Sequence, residues 1–279
     1  MDVPQLKPRD AESHKATFGR ACIIGGSRGM TGSVCLAGSA ALRAGAGLVS
    51  VAVPDRCLDI VASYDPNYMT IPVADDSAGR FASAAASTLA KILHNTTSVG
   101  IGPGMAQSAD ITQIVMGLYE SFAGPMVVDA DALNAMAQPD RLIAGAGPRI
   151  LTPHIGEFRR LIGDSQATSN QCREQVKEFA AANSVIVVLK GNRTIVTDGT
   201  NTYVNRTGNP GMATGGSGDV LTGVITGLLG QDLSPLEAAV LGVHVHGIAG
   251  DVARDQYGEL SMVAENIKNS LPTAFQSIA

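Results

Sequence analysis

The chain has 279 residues, of which 45% are hydrophobic and 16% charged, so it can bury a large core and is not disordered. A net charge of −5 without a basic stripe, and an aromatic content of 4% without tryptophan, argue against nucleic acid as a partner. The sequence shows no signal-peptide pattern, no apolar run that could span a bilayer, and no CxxC spacing among the four cysteines. We therefore expect a cytoplasmic protein with reduced thiols and no membrane partner.

The hydrophobic pattern predicts alternating strands and helices after an extended N-terminal arm over residues 1–17. The predicted strands cover 20–26, 48–53, 98–102, 126–129, 149–152 and 185–189, followed by a hairpin of TIVT and TYVN. The predicted helices cover 34–43, 83–94, a segment capped by Ser108, a segment from 132, 168–183, one after the Gly-rich loop, one capped by Ser234, and 261–270. This β-loop-α-β alternation predicts a single α/β domain over residues 1–279 with a mainly parallel sheet.

The most informative stretch is NRTGNPGMATGGSGDVLTG at residues 205–223, a Gly-rich loop that runs directly into an apolar helix. Glycines lack Cβ atoms, so the backbone N–H groups of this loop can turn toward a bound group. The first turn of a helix adds unpaired N–H groups and a positive dipole end. The loop therefore predicts an anion hole for a phosphate, formed by Gly215, Gly216, Ser217 and Gly218.

Asp219 lies at the mouth of this predicted anion hole. One interpretation is a general base that takes a proton from a hydroxyl during phosphoryl transfer. The other is a carboxylate that only complements the helix dipole.

Several further loops follow predicted strands, where ligands bind in open α/β sheets. GGSRGMTG at 25–32 lacks the GxGxxG spacing, and no tyrosine is followed four residues later by lysine, so a short-chain dehydrogenase is excluded. The segment remains either a ligand loop or a tight turn. The other candidate ligand loops that follow predicted strands are GPG at 102–104, DADALN at 129–134, TPHIGEF at 152–158 and KGNRT at 190–194.

Single residues in these loops leave alternatives open. Asp129 and Asp131 alternate along an extended segment and could face one cleft, or Asp131 caps the next helix. His154 is either a substrate contact or structural, and Lys190 either reaches a nucleotide phosphate or is a solvated turn residue. His244 and His246 do not share a helix face, which makes them a poor metal pair.

Taken in order, these motifs resemble those of the ADP- or ATP-dependent NAD(P)H-hydrate dehydratases of the ribokinase-like superfamily. The matching motifs are GGS…TG, AALRAGAGLV, GPG, DADALN, LTPHxGE, VVLKGxxT, NPGMATGGSGDVLTG and HxxAGD. Ile155 replaces the second proline of the family's TPHPGE, and Ser33 stands where the family often has alanine. The resemblance implies a three-layer α/β/α sandwich with a mainly parallel central sheet.

The resemblance also implies a reaction, in which the S form of C6-hydrated NADH or NADPH is dehydrated to NAD(P)H. ADP or ATP would be hydrolysed to AMP or ADP and phosphate, by phosphorylation of the C6 hydroxyl and elimination of phosphate. Asp219 would be the catalytic base. Substrate contacts would come from Ser33, Gly104, His154 and Asp219. Nucleotide contacts would come from Lys190, Gly191, Asn192, Arg193, Thr194 and Gly218.

The resemblance further implies Mg²⁺ on the nucleotide phosphates, with Glu157 as a candidate outer-shell group and no certain protein ligand. It implies a homotetramer and a separate epimerase that acts on the same hydrate. Two alternatives are a vitamin or sugar kinase of the same fold and a non-catalytic nucleotide sensor. A stable phosphorylated product would favour the kinase, whereas a sensor has no need of Asp219.

Overall fold

The computed structural model describes residues 1–137 and 144–278, and these residues form one nine-stranded sheet covered by helices on both faces. The strands are β1 (Arg20–Ile24), β2 (Leu48–Pro54), β3 (Met69–Val73), β4 (Ser98–Ile101), β5 (Met126–Val128), β6 (Arg149–Leu151), β7 (Ile186–Leu189), β8 (Ile195–Thr197) and β9 (Thr202–Val204). The helices are α1 (Thr31–Arg43), α2 (Leu58–Tyr64), α3 (Ala85–Leu93), α4 (Ala109–Ser121), α5 (Ala130–Met136), α6 (Ile155–Leu161), α7 (Ser169–Asn183), α8 (Ser217–Leu228), α9 (Pro235–Tyr257) and α10 (Ala264–Gln276).

The strand order is β3-β2-β1-β4-β5-β6-β7-β8-β9. Strands β3 to β7 pair in parallel, and β8 and β9 extend the sheet as an antiparallel hairpin. The chain moves outward from β1 to β3 and then returns to lay β4 on the other side of β1. The carboxyl ends of β1 and β4 therefore form the point where strand order reverses, which is where open α/β sheets bind ligands.

The core consists of two layers because alternate strand residues point to opposite faces of the sheet. Ile24 and Ile101 belong to a buried cluster with residues of α3 to α7. Val127, Ile150 and Val188 point to the other face and pack with residues of α8 to α10. The mainly parallel, three-layer sandwich expected from the sequence is confirmed.

Helices α1 and α8 lie unusually close together because α8 presents glycines to α1. A Cβ atom on Gly223 would lie 2.1 Å from the carbonyl oxygen of Ala37, and one on Gly227 would lie 2.5 Å from that of Ala41. Both pairs advance by four residues, which is one helical turn. The next pair toward the N-termini of the two helices is Asp219 and Ser33, so this packing sets their relative position.

The structure corrects several predicted element boundaries. Helix α2 and strand β3 were not predicted; β3 is an edge strand with mixed exposure that includes Pro72. Helix α5 begins at Ala130 rather than at 132. The final helix covers 264–276 rather than 261–270, because the Asn266 side chain accepts from the backbone N–H of Val263 and fixes the helix start there.

The predicted N-terminal arm packs on the body of the protein. Val3 and Leu6 contact the buried cluster of α8 to α10, and Arg9 donates to the carbonyl of Gly45 at 2.7 Å. All four cysteines are buried and free. Within the two described ranges, no helix combines the length and apolar character needed to cross a membrane.

Candidate active site

Four loops meet at the carboxyl ends of the parallel strands, beside the β1–β4 switch point. Gly26 donates its backbone N–H to Pro103 at 2.8 Å, and the Ser27 hydroxyl donates to the Gly104 carbonyl at 2.9 Å. Gly104 has a φ of 63°, and a Cβ atom there would lie 2.6 Å from the Met30 carbonyl. This close approach explains the glycine and brings the GPG loop against the N-terminus of α1.

The loop predicted to form an anion hole leads into the N-terminus of α8, but the Ser217 N–H is not free, because it donates to the Thr214 carbonyl at 3.4 Å. Gly216 is the residue before the helix and has a φ of 90°, a conformation that glycine adopts without strain. A Cβ atom there would lie 2.6 Å from the Leu36 side chain and 3.0 Å from that of Ala264, so α1 and α10 fix the loop between them. Among the described residues, the N–H groups of Gly218 and Asp219 have no acceptor, and they remain available to an anion.

Asp219 occupies the first turn of α8 and is only partly accessible to solvent. Burial raises the pKa of its carboxyl to about 7, and the negative charges of Asp129 and Asp131 add to this rise. The nearby Ser33 side chain and the positive charge of Lys190 oppose it. A carboxyl that titrates near neutral pH can accept a proton from a bound hydroxyl group and later release it.

Asp129 and Lys190 form a buried ion pair across the end of the sheet, with Lys190 Nζ 2.7 Å from Asp129 Oδ1. The same oxygen accepts from the Thr152 hydroxyl at 2.8 Å, and Oδ2 accepts from the Thr222 hydroxyl at 2.8 Å. Burial disfavours the lysine charge, but Asp129 and Glu157 outweigh this effect and raise the pKa of Lys190. The alternative of a solvated turn lysine is therefore wrong.

Lys190 also lies directly beneath the anion hole. Its Nζ atom would be 3.2 Å from a Cβ atom on Gly218. The side chain thus joins the KGNRT loop, the DADALN segment and the N-terminus of α8 in one charged centre.

Asp131 has a different role from Asp129, because the backbone does not stay extended between them. Ala130 has a φ of 47° and starts α5, so the segment is not extended and Asp131 does not cap the helix. Both carboxylates still lie close enough to Asp219 to raise its pKa, which agrees with the prediction of one shared cleft. Asp131 accepts from the backbone N–H of Ala106 at 2.8 Å and from Gln107 Nε2 at 3.1 Å. Ala106 itself has a φ of 64°, a conformation disfavoured for alanine. The carboxylate of Asp131 thus holds a strained loop at the site.

His154 is the N-cap of α6, and its Nδ1 atom accepts from the backbone N–H of Gly156 at 2.9 Å and of Glu157 at 3.3 Å. Glu157 completes the capping box, because its Oε2 accepts from the backbone N–H of His154 at 2.7 Å. His154 therefore has a structural role as the N-cap of α6. Its side chain is 56% exposed at the rim of the site, so a substrate contact remains a prediction.

The KGNRT loop carries the residues predicted to contact a nucleotide. The Thr194 hydroxyl closes the loop by donating to the Gly191 carbonyl at 3.1 Å. Arg173 on α7 donates to the carbonyls of Asn192 at 3.2 Å and Arg193 at 3.0 Å, a support that the sequence did not reveal. A cleft of about 470 Å³ separates Asn192 and Arg193 from the facing loop. The facing wall consists of Asn205, Arg206, Thr207 and Gly208.

The residues present do not form a protein cage for a metal ion. Glu157 is 5% exposed and its carboxylate is engaged by the His154 backbone and by Lys190, whose Nζ lies 3.9 Å away. Residues 1–137 and 144–278 contain no cluster of three or more His, Cys, Asp or Glu side chains that could bind a metal. A divalent cation at this site would need most of its ligands from a bound phosphate and water.

His246 lies on α9 beneath the anion hole and is 7% exposed. Burial lowers the pKa of its imidazole to about 4, so the ring is neutral at pH 7. Its Nε2 atom has no hydrogen-bond partner among the described residues. His244, by contrast, receives or donates a 3.1 Å hydrogen bond with the Tyr203 hydroxyl, so the two histidines do not act as a pair.

Comparison with known proteins gives matches over nearly the whole chain. Residues 21–273 match the family model described as NAD(P)H-hydrate dehydratase. The bifunctional NAD(P)H-hydrate repair enzyme Nnr of Moorella thermoacetica is 42% identical over 98% of this chain and 52% of its own length. The ADP-dependent (S)-NAD(P)H-hydrate dehydratase of Bacillus subtilis is 32% identical over 97% of this chain and 94% of its own length.

A crystal structure of the Bacillus subtilis ADP/ATP-dependent NAD(P)H-hydrate dehydratase, co-crystallised with ATP and Mg²⁺, superposes with a TM-score of 0.85. It shares 29% identity, and the match covers 99% of this chain and 95% of that one. The expected ribokinase-like fold is thereby confirmed. The chain spans about half the length of the bifunctional relatives that it matches. From the family model and the full-length matches together, the chain belongs to the NAD(P)H-hydrate dehydratase family.

Proposed function

We propose that this protein dehydrates the S form of C6-hydrated NADH or NADPH to NAD(P)H, using ADP or ATP as the phosphoryl donor. The observation that carries the proposal is Asp219, a partly buried carboxyl with a pKa raised to about 7. It lies beside unpaired N–H groups at a helix N-terminus. This combination provides a base and an anion hole at one point, as phosphorylation of a hydroxyl requires. Relatives named as dehydratases of this type support the choice of substrate.

In the first step, Asp219 accepts the proton of the C6 hydroxyl while its oxygen attacks the terminal phosphorus of the nucleotide. A C6–O–P linkage forms, and the bond from phosphorus to the bridging oxygen breaks to release AMP or ADP. The N–H groups of the anion hole stabilise the charge on the transferring phosphoryl oxygens. Lys190, beneath Gly218, contributes a positive charge on the same side.

In the second step, the ring nitrogen lone pair expels phosphate from C6, and loss of a proton from the adjacent ring carbon restores the double bond of the reduced nicotinamide. Phosphate is a far better leaving group than hydroxide, which explains why a kinase-like fold suits a dehydration. In this proposal Ser33, Gly104 and His154 contact the hydrated coenzyme. The nucleotide contacts come from Gly218 and residues 190–194.

The remaining features of the proposal concern partners. Mg²⁺ would accompany the nucleotide phosphates, with Glu157 no closer than the outer shell, since its carboxylate is already engaged. We also propose that the protein is a cytoplasmic homotetramer. A separate epimerase would act on the same hydrated coenzyme. Light scattering would measure the oligomeric state directly.

The deciding experiment is an absorbance assay on purified NADPH hydrate with ADP, with ATP and without nucleotide. Recovery of the reduced-nicotinamide absorbance only with nucleotide would support the proposal, and the faster nucleotide would identify the donor. Accumulation of a stable phosphorylated hydrate, without that absorbance, would instead support a kinase. No reaction in any mixture would refute the dehydratase.

A further inference from the structure

The HxxAGD motif at residues 246–251 lies on α9, with His246 beneath the anion hole and Asp251 more than one helical turn further along. The segment 205–212, which we call the approach segment, leads from β9 toward the anion hole and runs along this helix. Asn205 Nδ2 donates to the Val243 carbonyl at 3.4 Å, and the Thr207 hydroxyl donates to the His244 carbonyl at 2.9 Å. The approach segment is therefore fastened to α9 over two turns.

Asp251 makes the firmest of these attachments. Its Oδ2 accepts from the backbone N–H of Gly208 at 2.9 Å, and its Oδ1 accepts from Asn209 Nδ2 at 3.0 Å. Asn209 in turn caps the 3₁₀ turn over Pro210–Met212 by accepting from the Gly211 N–H at 3.0 Å. The Asp251 carboxylate thus orients both Gly208, which has a φ of 98°, and the Asn209 side chain that caps the 3₁₀ turn.

Two glycines of α9 permit this contact. A Cβ atom on Gly247 would lie 2.1 Å from the Thr207 hydroxyl, and one on Gly250 would lie 2.2 Å from Met212 Sδ. Glycine in a helix interior costs about 1 kcal/mol relative to alanine, so the close approach is maintained at the expense of helix stability. The position of the approach segment on α9 is therefore tightly specified.

The approach segment also forms the site. Thr207 and Gly208 line the cleft opposite Asn192 and Arg193. Three residues after Met212, the chain enters the anion hole at Gly215. A displacement at Gly208 would therefore move the wall of the cleft that faces Asn192 and Arg193.

We propose that Asp251 is a positioning residue for the nucleotide, and the inference rests on the function proposed above. It acts by holding Gly208 and Asn209, without touching either substrate. Gly208, Asn209 and Arg254 each donate an N–H group to its carboxylate. An amide has only one accepting oxygen and would present its own NH₂ group to at least one of these donors. Nucleotide binding should therefore depend on this carboxylate, whereas binding of the hydrated coenzyme at Ser33 and Gly104 should not.

The test compares Asp251→Asn with a matched control, Asp255→Asn. Asp255 lies one turn later on α9 and is 71% exposed, and it pairs with the same Arg254 that contacts Asp251. For both variants, KM for ADP and for NADPH hydrate, kcat, and ADP affinity by calorimetry are measured. We expect Asp251→Asn to raise KM and Kd for ADP about tenfold, with KM for the hydrate within twofold of wild type. Asp255→Asn should match the wild type.

A second variant keeps the test decisive if Asp251→Asn folds poorly. Asn209→Ala removes the partner side chain from the other end of the contact and should raise the ADP KM in the same selective way. The double variant should be no worse than the worse single variant, because both act through one contact.

If wild type is active and Asp251→Asn binds ADP with the same affinity, the inference about Asp251 is overturned while the proposed function stands. A parallel loss of kcat and of affinity for both substrates would also overturn the inference, since that pattern indicates a general structural role. Wild-type protein that neither binds ADP nor turns over would overturn the proposed function as well.

Discussion

Replacing Asp219 by asparagine should abolish turnover and at the same time stabilise the protein at neutral and alkaline pH. The carboxyl has its pKa raised from 3.8 to about 7, which corresponds to on the order of 4 kcal/mol of unfavourable free energy when it is ionised in the folded state. Part of this gain would be lost because the partly buried amide of asparagine needs hydrogen-bond partners of its own, at a cost of about 1–2 kcal/mol. We therefore expect the unfolding free energy to rise by about 2–3 kcal/mol at pH 8.

The sign of the pH dependence follows from proton linkage. Between pH 3.8 and about 7 the folded state binds more protons at Asp219 than the unfolded state does, so its ionisation lowers stability as pH rises. This cost is complete above pH 7 and absent below pH 3.8. The stabilisation by Asp219→Asn should therefore shrink to below about 1 kcal/mol at pH 4.

Urea unfolding at pH 8 and pH 4, combined with turnover and ADP titration at pH 8, measures all of these effects. ADP binding should remain within a few fold of wild type, because the N–H groups of the anion hole are unchanged. Asp59→Asn is the matched control, since Asp59 is an exposed aspartate in the first turn of α2 and its replacement should change stability by less than about 1 kcal/mol. Substantial residual turnover would refute the assignment of the base, and an Asp219→Asn variant no more stable than wild type at pH 8 would refute the pKa argument.

Three further predictions test the surroundings of the site. Lys190→Met should weaken ADP binding in a calorimetric titration and lower the unfolding free energy by about 3–5 kcal/mol, because it leaves Asp129 buried without its counter-ion. Adding Asp129→Asn should restore most of that stability in urea unfolding, and a double variant as unstable as the single one would contradict the ion-pair argument. In the folded state the pKa of His246 is lowered to about 4, so between pH 6.5 and pH 4 the unfolded state binds more protons at this residue. Acidification over this range therefore lowers the unfolding free energy of the wild type by on the order of 3 kcal/mol. His246→Gln should reduce this loss. An unchanged pH slope of the unfolding free energy would show that this histidine is not the group responsible. Gly223→Ala should lower stability by about 1–3 kcal/mol and reduce turnover, because a Cβ atom would separate α8 from α1, whereas Gly117→Ala on the exposed face of α4 should add up to about 1 kcal/mol in the same thermal unfolding assay. A Gly223→Ala enzyme with wild-type stability would mean that the helices adjust freely.

Features fixed by local chemistry were predicted from the sequence. The capping boxes at Thr168 and Ser234 begin α7 and α9 where expected, because the partners lie three residues apart. The glycine-rich run before Asp219 indicated an anion hole, because glycines followed by an apolar helix leave backbone N–H groups free whatever the rest of the fold does. The alternation of buried strands and helices was sufficient to predict a mainly parallel α/β sheet, and the family resemblance added the three-layer sandwich.

Weakly patterned elements were not predicted. Strand β3 shows no clean alternation because it lies at the sheet edge, and α2 has only one fully buried residue. Arg173, which supports the KGNRT loop, gave no signal because it is one polar residue among many on an exposed helix.

The chemistry of the site was decided by tertiary structure. Asp129 and Lys190 are 61 residues apart, and only the parallel pairing of β5, β6 and β7 brings them to the same edge of the sheet. The raised pKa of Asp219 arises from burial and from carboxylates on other elements, and neither quantity exists in an extended chain. The sequence by itself thus determined which residue types line the predicted anion hole, whereas burial and packing between distant segments decided which of them are charged, paired or free to react.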